Sequence, residues 1–120
     1  MDSKYDLEKR LFVLARDVRL FVKSLPRTIT SMVDAKQVVR SSGSIGANYI
    51  EANEATGERD LIYRLRISRK EAKETIYWLK LICETHDLPN HNEGVRLMNE
   101  SNQIRKILSA IINKKLTSMN

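Results

Sequence analysis

The sequence is poor in residues that break or cross-link a chain. Its 120 residues include four glycines, two prolines and one cysteine. So few chain-breaking residues disfavour a many-turned β-sandwich or barrel and favour a few long helices. The single cysteine, Cys83, excludes an internal disulfide framework and a zinc site made of several thiolates. No apolar run approaches the roughly 18–20 residues that span a bilayer, and the first six residues lack the apolar core of a signal peptide. We therefore expect a cytoplasmic protein with no membrane partner.

Motifs of catalysis and cofactor binding are also missing. There is no G-x-x-x-x-G-K-[ST] phosphate loop and no G-x-G-x-x-G turn after a strand. His86 and His91 flank Pro89 in an expected loop, which would not hold them at the spacing that a metal site needs. The serines of residues 41–44 have no histidine nearby in sequence to activate them. We expect no enzymatic activity, no cofactor and no metal site.

What the chain does contain is apolar residues and positive charge. Hydrophobic residues make up 42% of the sequence and charged residues 30%, a composition typical of a globular protein. The length predicts a single domain over residues 1–120. Lysines and arginines number 21 against 15 acids, a net charge of +6. This balance makes an acidic partner plausible, nucleic acid first.

Apolar residues recur every three or four positions in four stretches, which predicts four amphipathic helices at about 6–25, 31–55, 59–85 and 91–116. The first helix has the most regular apolar face, made of Leu7, Leu11, Leu14, Val18, Phe21 and Leu25. Because the connections are short, neighbouring helices should run antiparallel. The predicted fold is all-α, an up-down-up-down antiparallel four-helix bundle.

Residues that cap or terminate helices mark the expected helix ends. Pro26 ends the first helix, since proline disfavours helical geometry at the residue before it. Ser31, with Asp34 three positions later, resembles a capping box that opens the second helix. Gly57 suits the left-handed position just past the end of that helix.

The second helix has an unusual centre, in which residues 41–47 are mostly small. We place six residues on its inward face, in phase with the flanking apolar residues: Ala35, Val39, Ser42, Gly46, Tyr49 and Ile50. Two glycines there cost roughly 1 kcal/mol each against alanine. Small side chains let another backbone approach, so we interpret the segment as a site of close helix packing; the alternative is a ligand-contacting loop.

Two motifs carry a resemblance that covers nearly the whole chain. Residues 40–52 read RSSGSIGANYIEA and residues 66–79 read RISRKEAKETIYWL. Together they resemble the bacterial four-helix-bundle proteins encoded in 23S rRNA intervening sequences. The resemblance implies a bundle that assembles as a ring-shaped homopentamer. It also implies a relationship to the accessory proteins of diversity-generating retroelements, which are thought to bind nucleic acid and a reverse transcriptase. The family is not known to be enzymatic.

Charged residues of the second and third helices should face each other. In an antiparallel hairpin that turns near Gly57, Arg40 lies opposite Glu74, and Glu51 lies close to the level of Arg64. We predict two ion pairs that fix the register of the two helices. The rival interpretation is a paired-carboxylate acid/base site built from Glu71 and Glu74.

Basic residues form a stripe on the first helix. Lys9, Arg16 and Lys23 recur every seven residues opposite the apolar face, at steps of roughly 10 Å. Lys114 and Lys115 add charge at the end of the fourth helix. These five residues are the predicted nucleic-acid contacts; the alternative is an ordinary solvated face. Aromatic residues are only 6% of the chain, and we expect none to interleave the stripe, so that any binding would be electrostatic.

Some apolar residues remain once the four inward faces are filled. They are Phe12, Val22, Val38, Tyr63, Tyr77 and Trp78. Such a surplus predicts an oligomer interface, anchored by Tyr63, Tyr77 and Trp78. Two functions follow: an oligomeric, non-catalytic nucleic-acid-binding accessory factor, or alternatively a structural or protein-interaction scaffold with no nucleic-acid role.

Overall fold

A computed structural model describes residues 3–119, which form four α-helices and no strand. The helices are α1 Ser3–Lys23, α2 Ile29–Asn53, α3 Glu58–Thr85 and α4 His91–Ser118. The all-α prediction is therefore confirmed, with boundaries that differ from the expected ones by three residues at most. None of the described helices is long and apolar enough to cross a membrane.

The start of α2 differs from its prediction. A capping box does open the helix, but it joins Thr28 and Ser31 rather than Ser31 and Asp34. The Ser31 amide donates to Thr28 Oγ1 at 3.1 Å, and the Thr28 amide donates to Ser31 Oγ at 3.0 Å. Each side chain thus satisfies a backbone donor that the first turn leaves unpaired. The helix begins two residues earlier because the extended Thr28, and not Ser31, is the N-cap.

The turn between α2 and α3 also differs. Gly57 has an extended backbone with φ −151° and serves as the N-cap of α3. The predicted left-handed conformation is wrong, and none of the described glycines has a positive φ. Glu58 and Asp60 lie in the first turn of α3, where negative charge interacts favourably with the helix dipole.

The hydrophobic core confirms the inward face of α1 and corrects that of α2. All six apolar residues predicted for α1 are buried. On α2 the fully buried apolar residues are Val38 and Ile45, whereas Ile50 is exposed and Val39 and Gly46 are only partly buried. The real face is rotated by about one residue from the predicted one. Val38, predicted to be surplus, is part of the core.

The small residues of α2 pack closely on α3 through hydroxyl groups. Ser41 Oγ lies 2.8 Å from Thr75 Oγ1, and Ser68 Oγ donates to the Ile45 carbonyl at 2.7 Å. These groups are buried and hydrogen-bonded, so their burial carries little desolvation penalty. Close packing is therefore the correct interpretation of this segment.

A second close contact, on α4, has no counterpart in the predictions. Gly94 is buried where α4 meets both α1 and α3. A Cβ atom added there would run into Cys83 Sγ and lie 3.0 Å from Phe21 Cζ. Around the core, α2 and α4 each pack against both α1 and α3.

Candidate nucleic-acid interface

The cations predicted on α1 lie on its solvent side. Lys9, Arg16 and Lys23 are all exposed, opposite the buried apolar face. The Arg16 guanidinium also donates to Asp17 Oδ1 at 3.1 Å. Within residues 3–119, neither Lys9 nor Lys23 takes part in a described ion pair. The stripe therefore presents positive charge to solvent.

Two apolar side chains lie among these cations. Phe12 is 69% exposed and Leu20 is 57% exposed, and both follow a cation of the stripe by three or four residues. The expectation that no aromatic residue interleaves the stripe is wrong, since Phe12 lies one helical turn from Lys9 and from Arg16. We call the five residues Lys9, Phe12, Arg16, Leu20 and Lys23 the outer face of α1.

Three acids, Asp17, Glu93 and Glu100, pair with Arg10 or Arg96 where α1 meets α4, and we call these five residues the α1–α4 seam. Arg10 makes a two-pronged pair with Glu100, at 2.6 and 2.8 Å. The hydrogen bond from Arg10 outweighs partial burial and holds the pKa of Glu100 below its usual range. Arg10 and Glu100 are both partly buried in the seam.

The other end of the seam joins three charges. Arg96 donates to Glu93 at 2.6 Å and to Asp17 Oδ2 at 2.9 Å. These bonds raise the pKa of Arg96 further above its usual value. Burial pushes the pKa of Asp17 upward, but hydrogen bonds from Arg96 and Arg16 prevail and leave it lowered. The Asp17 carboxylate therefore lies between Arg96 of α4 and Arg16 of the outer face of α1.

Lys114 and Lys115 lie beside a cavity at one end of the molecule. The cavity has a volume of about 910 Å³ and lies where the start of α1 and the end of α4 meet the α2–α3 turn. Its walls are mostly apolar, with Leu7, Leu61 and Ile111 among them. Both lysines and Arg10 line it, which places these cations at the same end of the molecule as Lys9.

The structure forms one of the two predicted α2–α3 ion pairs. Arg40 Nη2 lies 3.1 Å from Glu74 Oε1, and Arg40 Nη1 lies 3.1 Å from Glu71 Oε2. Sequence reasoning missed that one guanidinium bridges both carboxylates. The predicted pair between Glu51 and Arg64 is not formed.

Arg64 has a different neighbour. Its guanidinium carbon lies 5.8 Å from the centre of the Tyr63 ring, next to it in sequence. Glu51 is exposed on α2.

The predicted interface anchors differ in burial. Tyr63 and Tyr77 are exposed, whereas Trp78 is half-buried and packs against the core. The Tyr77 and Trp78 rings meet edge to face with centres 5.1 Å apart. Trp78 is therefore at least partly a core residue.

An exposed apolar surface lies on α2. The interface anchors predicted from the sequence, Tyr63, Tyr77 and Trp78, all lie on α3. Ile29 is 84% exposed, and Met32 and Val33 are exposed on the same side one turn later; we call these three residues the α2 patch. A groove of about 580 Å³ adjoins it, with Lys23, Arg27 and Lys36 at its edge. No acidic residue lines this groove.

Cys83 and the histidines form no ligand cluster. Across residues 3–119, no group of three or more His, Cys, Asp or Glu side chains is placed to hold a metal ion. Cys83 is buried, and burial raises the pKa of its thiol. His86 lies 3.2 Å from Thr28 Oγ1, across the α1–α2 connection.

Comparison with known proteins gives a family and a similar structure. The model of the 23S rRNA-intervening sequence protein family matches residues 3–110. A crystal structure from Bacteroides thetaiotaomicron, described as a protein of unknown function from the S23 ribosomal protein family, is 33% identical. The similarity covers 93% of this chain and 99% of that one, with a TM-score of 0.82. No curated protein is similar enough to count as a match.

Proposed function

Because the chain belongs to the family of 23S rRNA-intervening sequence proteins, we propose that it is a non-catalytic protein that binds nucleic acid electrostatically and works as an assembly of several copies. The observation that carries the proposal is the outer face of α1, where three cations are exposed to solvent and only Arg16 has a described ion pair, with Asp17. Lys114 and Lys115 extend the positive surface at the end of α4. The proposal places the protein in the cytoplasm, in keeping with its single cysteine.

The placement of the acids supports this reading. If anions and cations alternated over the whole surface, the net charge of +6 would not attract a polyanion to one face more than to another. Instead Asp17, Glu93 and Glu100 bond arginines along the α1–α4 seam. Outside α1, Lys9 and Lys23 have no described ion pair, and their charge attracts a polyanion over distances of about a Debye length.

The proposal includes an up-down-up-down arrangement of the helices. Contacts move in opposite directions along α2 and α3, since Ser41 meets Thr75 while Ile45 meets Ser68. The ion pairs of the α1–α4 seam follow the same pattern. Short connections between consecutive helices favour this arrangement as well.

A ring of copies, five by resemblance to the family, is the proposed assembly. The α2 patch supports it, because exposed large apolar side chains at i, i+3 and i+4 are typical of a helix face that packs on another protein surface. Closed rings arise when one surface of each copy meets a different surface of the next. Tyr63 and Tyr77 stay predicted interface residues alongside the α2 patch, and Trp78 contributes at most its exposed edge.

The nucleic-acid proposal is tested by fluorescence anisotropy with labelled RNA and DNA at about 50 and 200 mM salt. The triple variant Lys9→Gln, Arg16→Gln, Lys23→Gln should bind both more weakly. Each lost phosphate contact lowers the log–log salt slope by about 0.9 on duplex DNA or 0.7 on a single strand, so three contacts lower it by about 2.7 or 2.1. No binding of the unchanged protein at about 50 mM salt would contradict the proposal.

A matched triple variant separates local charge from total charge. Arg66, Lys70 and Lys73 are exposed on α3 and can be changed to glutamine with the same loss of three charges. This control should keep most of the affinity and slope. An equal loss in both variants would mean that only total charge matters and that α1 has no special role.

A second candidate function is a scaffold that recruits a protein partner. The groove beside the α2 patch favours it, because an apolar floor with three cations at the edge and no acid fits an acidic amphipathic segment; the reverse transcriptase implied by the resemblance is one such candidate. Val33→Asp should separate the roles of this surface. A lower assembly mass by light scattering would assign the α2 patch to contacts between copies, and an unchanged mass would leave it free for a partner.

A further inference from the structure

The outer face of α1 alternates cations with large apolar side chains. The order Lys9, Phe12, Arg16, Leu20, Lys23 advances by three, four, four and three residues, which places each side chain one turn from the next. Phe12 and Leu20 are both more than half exposed. Phosphate binding alone explains the cations, but it does not explain why a phenyl ring stands in water between two of them.

We propose that this face binds single-stranded nucleic acid, with phosphates on Lys9, Arg16 and Lys23 and an unpaired base stacked on the ring of Phe12. The inference rests on the proposed nucleic-acid-binding function and narrows it to single strands. Bases inside a duplex are already stacked on both sides, so an exposed aromatic ring can reach only a base that is unpaired. Leu20 offers a second apolar surface one turn beyond Arg16.

The charges of this face make a polyanion a better occupant than a second copy of the chain. Packing the face against protein would bury three cations, and an unpaired buried charge is costly. The Asp17 carboxylate bonds Arg96 of the α1–α4 seam as well as Arg16, and neither Lys9 nor Lys23 has an ion pair within the described chain. A strand of nucleic acid supplies a phosphate for each cation and a base for the ring.

The length of the face sets the length of strand that it can hold. Lys9 and Lys23 are separated by 14 positions, or about 21 Å along a helix. A stacked strand advances about 3.4 Å per nucleotide. One copy of the face therefore covers about six nucleotides, and affinity per copy should rise with oligonucleotide length up to about that size and then level off.

The experiment compares Phe12→Leu with the unchanged protein. Leucine keeps an apolar side chain and a good helix former but removes the aromatic ring. Binding of a labelled 12-nucleotide single strand, RNA or DNA, should weaken about 5- to 100-fold. Binding of a blunt duplex of the same sequence should stay within about twofold, and the salt slope should not change because no phosphate contact is lost. Phe12→Trp should restore the single-strand affinity.

Ile50→Ala is the control for the loss of an exposed apolar side chain, since Ile50 is exposed on α2 and lies outside the outer face of α1, the α2 patch and the predicted interface residues; it should leave both affinities unchanged. If the unchanged protein binds single strands and Phe12→Leu binds them equally well, the inference is overturned while the proposed function stands. Tighter binding of the duplex than of the single strand also overturns it. A lower assembly mass of Phe12→Leu by light scattering would overturn it by assigning the face to contacts between copies. Absence of binding to either probe would refute the proposed function itself.

Discussion

Replacing Gly94 with alanine tests the closest approach of α4 to its neighbours. A Cβ atom there would collide with Cys83 Sγ and lie 3.0 and 3.4 Å from two carbons of the Phe21 ring. Both neighbours are buried, with Phe21 2% and Cys83 5% exposed. Neither side chain can move out into solvent to make room, so α4 must shift or the two side chains must leave their preferred positions.

The expected magnitude is the difference between two opposing effects. Alanine is the better helix former by about 1 kcal/mol. Overpacking of a close-packed core costs about 1–3 kcal/mol, here near the upper end because the added atom meets two buried groups. The net expectation for Gly94→Ala is a loss of about 1–2 kcal/mol. For a chain of this length the thermal midpoint should fall by about 4–8 °C, measured by circular dichroism.

Two further variants make the reasoning refutable. Gly46→Ala should be neutral or stabilising, because its Cβ atom would meet only Leu11 Cβ at 3.4 Å, an ordinary contact. Combining Gly94→Ala with Cys83→Ala removes the main collision, so the cost of Gly94→Ala should be smaller in that background by at least about 0.5 kcal/mol. A Gly94→Ala protein as stable as the unchanged one, or an additive double variant, would refute the collision as the cause.

Three other predictions follow from the described contacts. Trp78→Ala should lower stability by about 2–3 kcal/mol in denaturant melts, because the ring packs on the core; a normal melt with a smaller assembly would instead make it an interface residue. Arg40→Gln should cost about 2 kcal/mol by leaving the nearly buried Glu71 carboxylate without its guanidinium, and adding Glu71→Gln should recover part of it. The lowered pKa of Glu100, caused first by the Arg10 hydrogen bond, gives stability that is present above its ordinary value of 4.5 and is lost as the pH falls through the lower folded value. Melts from pH 6 to 3 should therefore fall less steeply for Glu100→Gln, and identical slopes would contradict this.

The family and the all-α fold could be predicted from the sequence. The α1 face was predictable residue by residue because six large apolar side chains repeat on one side at steps of three and four residues. On α2 the apolar pattern predicts a buried face that is rotated by about one residue from the real one, since serine, glycine and alanine give almost no hydrophobic signal. Ser41 and Ser68 are buried through hydrogen bonds, and a pattern of apolar residues cannot show them.

The exposed cations of the candidate site could be predicted from the sequence, whereas the ion pairs on the neighbouring helices could not. Lys9, Arg16 and Lys23 follow from helical period alone, because a residue opposite the core must be exposed. The bridging of Glu71 and Glu74 by Arg40 depends on the rotation of two helices about their axes. An error of one residue in the predicted face of α2 is enough to prevent the prediction of this bridging contact. The same error moved Val38 from the core to the predicted surface.

The positions of the acids, more than the number of cations, decide which face of the molecule carries a positive potential. Twenty-one basic residues against 15 acids is a modest excess that could be spread over the whole surface. Arg10 on α1 and Arg96 on α4 lie along the α1–α4 seam, where they hold Glu100 and Asp17. If those arginines were removed, the freed carboxylates would lower the positive potential beside the stripe. The seam would in this way support the proposed nucleic-acid binding, by occupying carboxylates that would otherwise offset the charge of the outer face of α1.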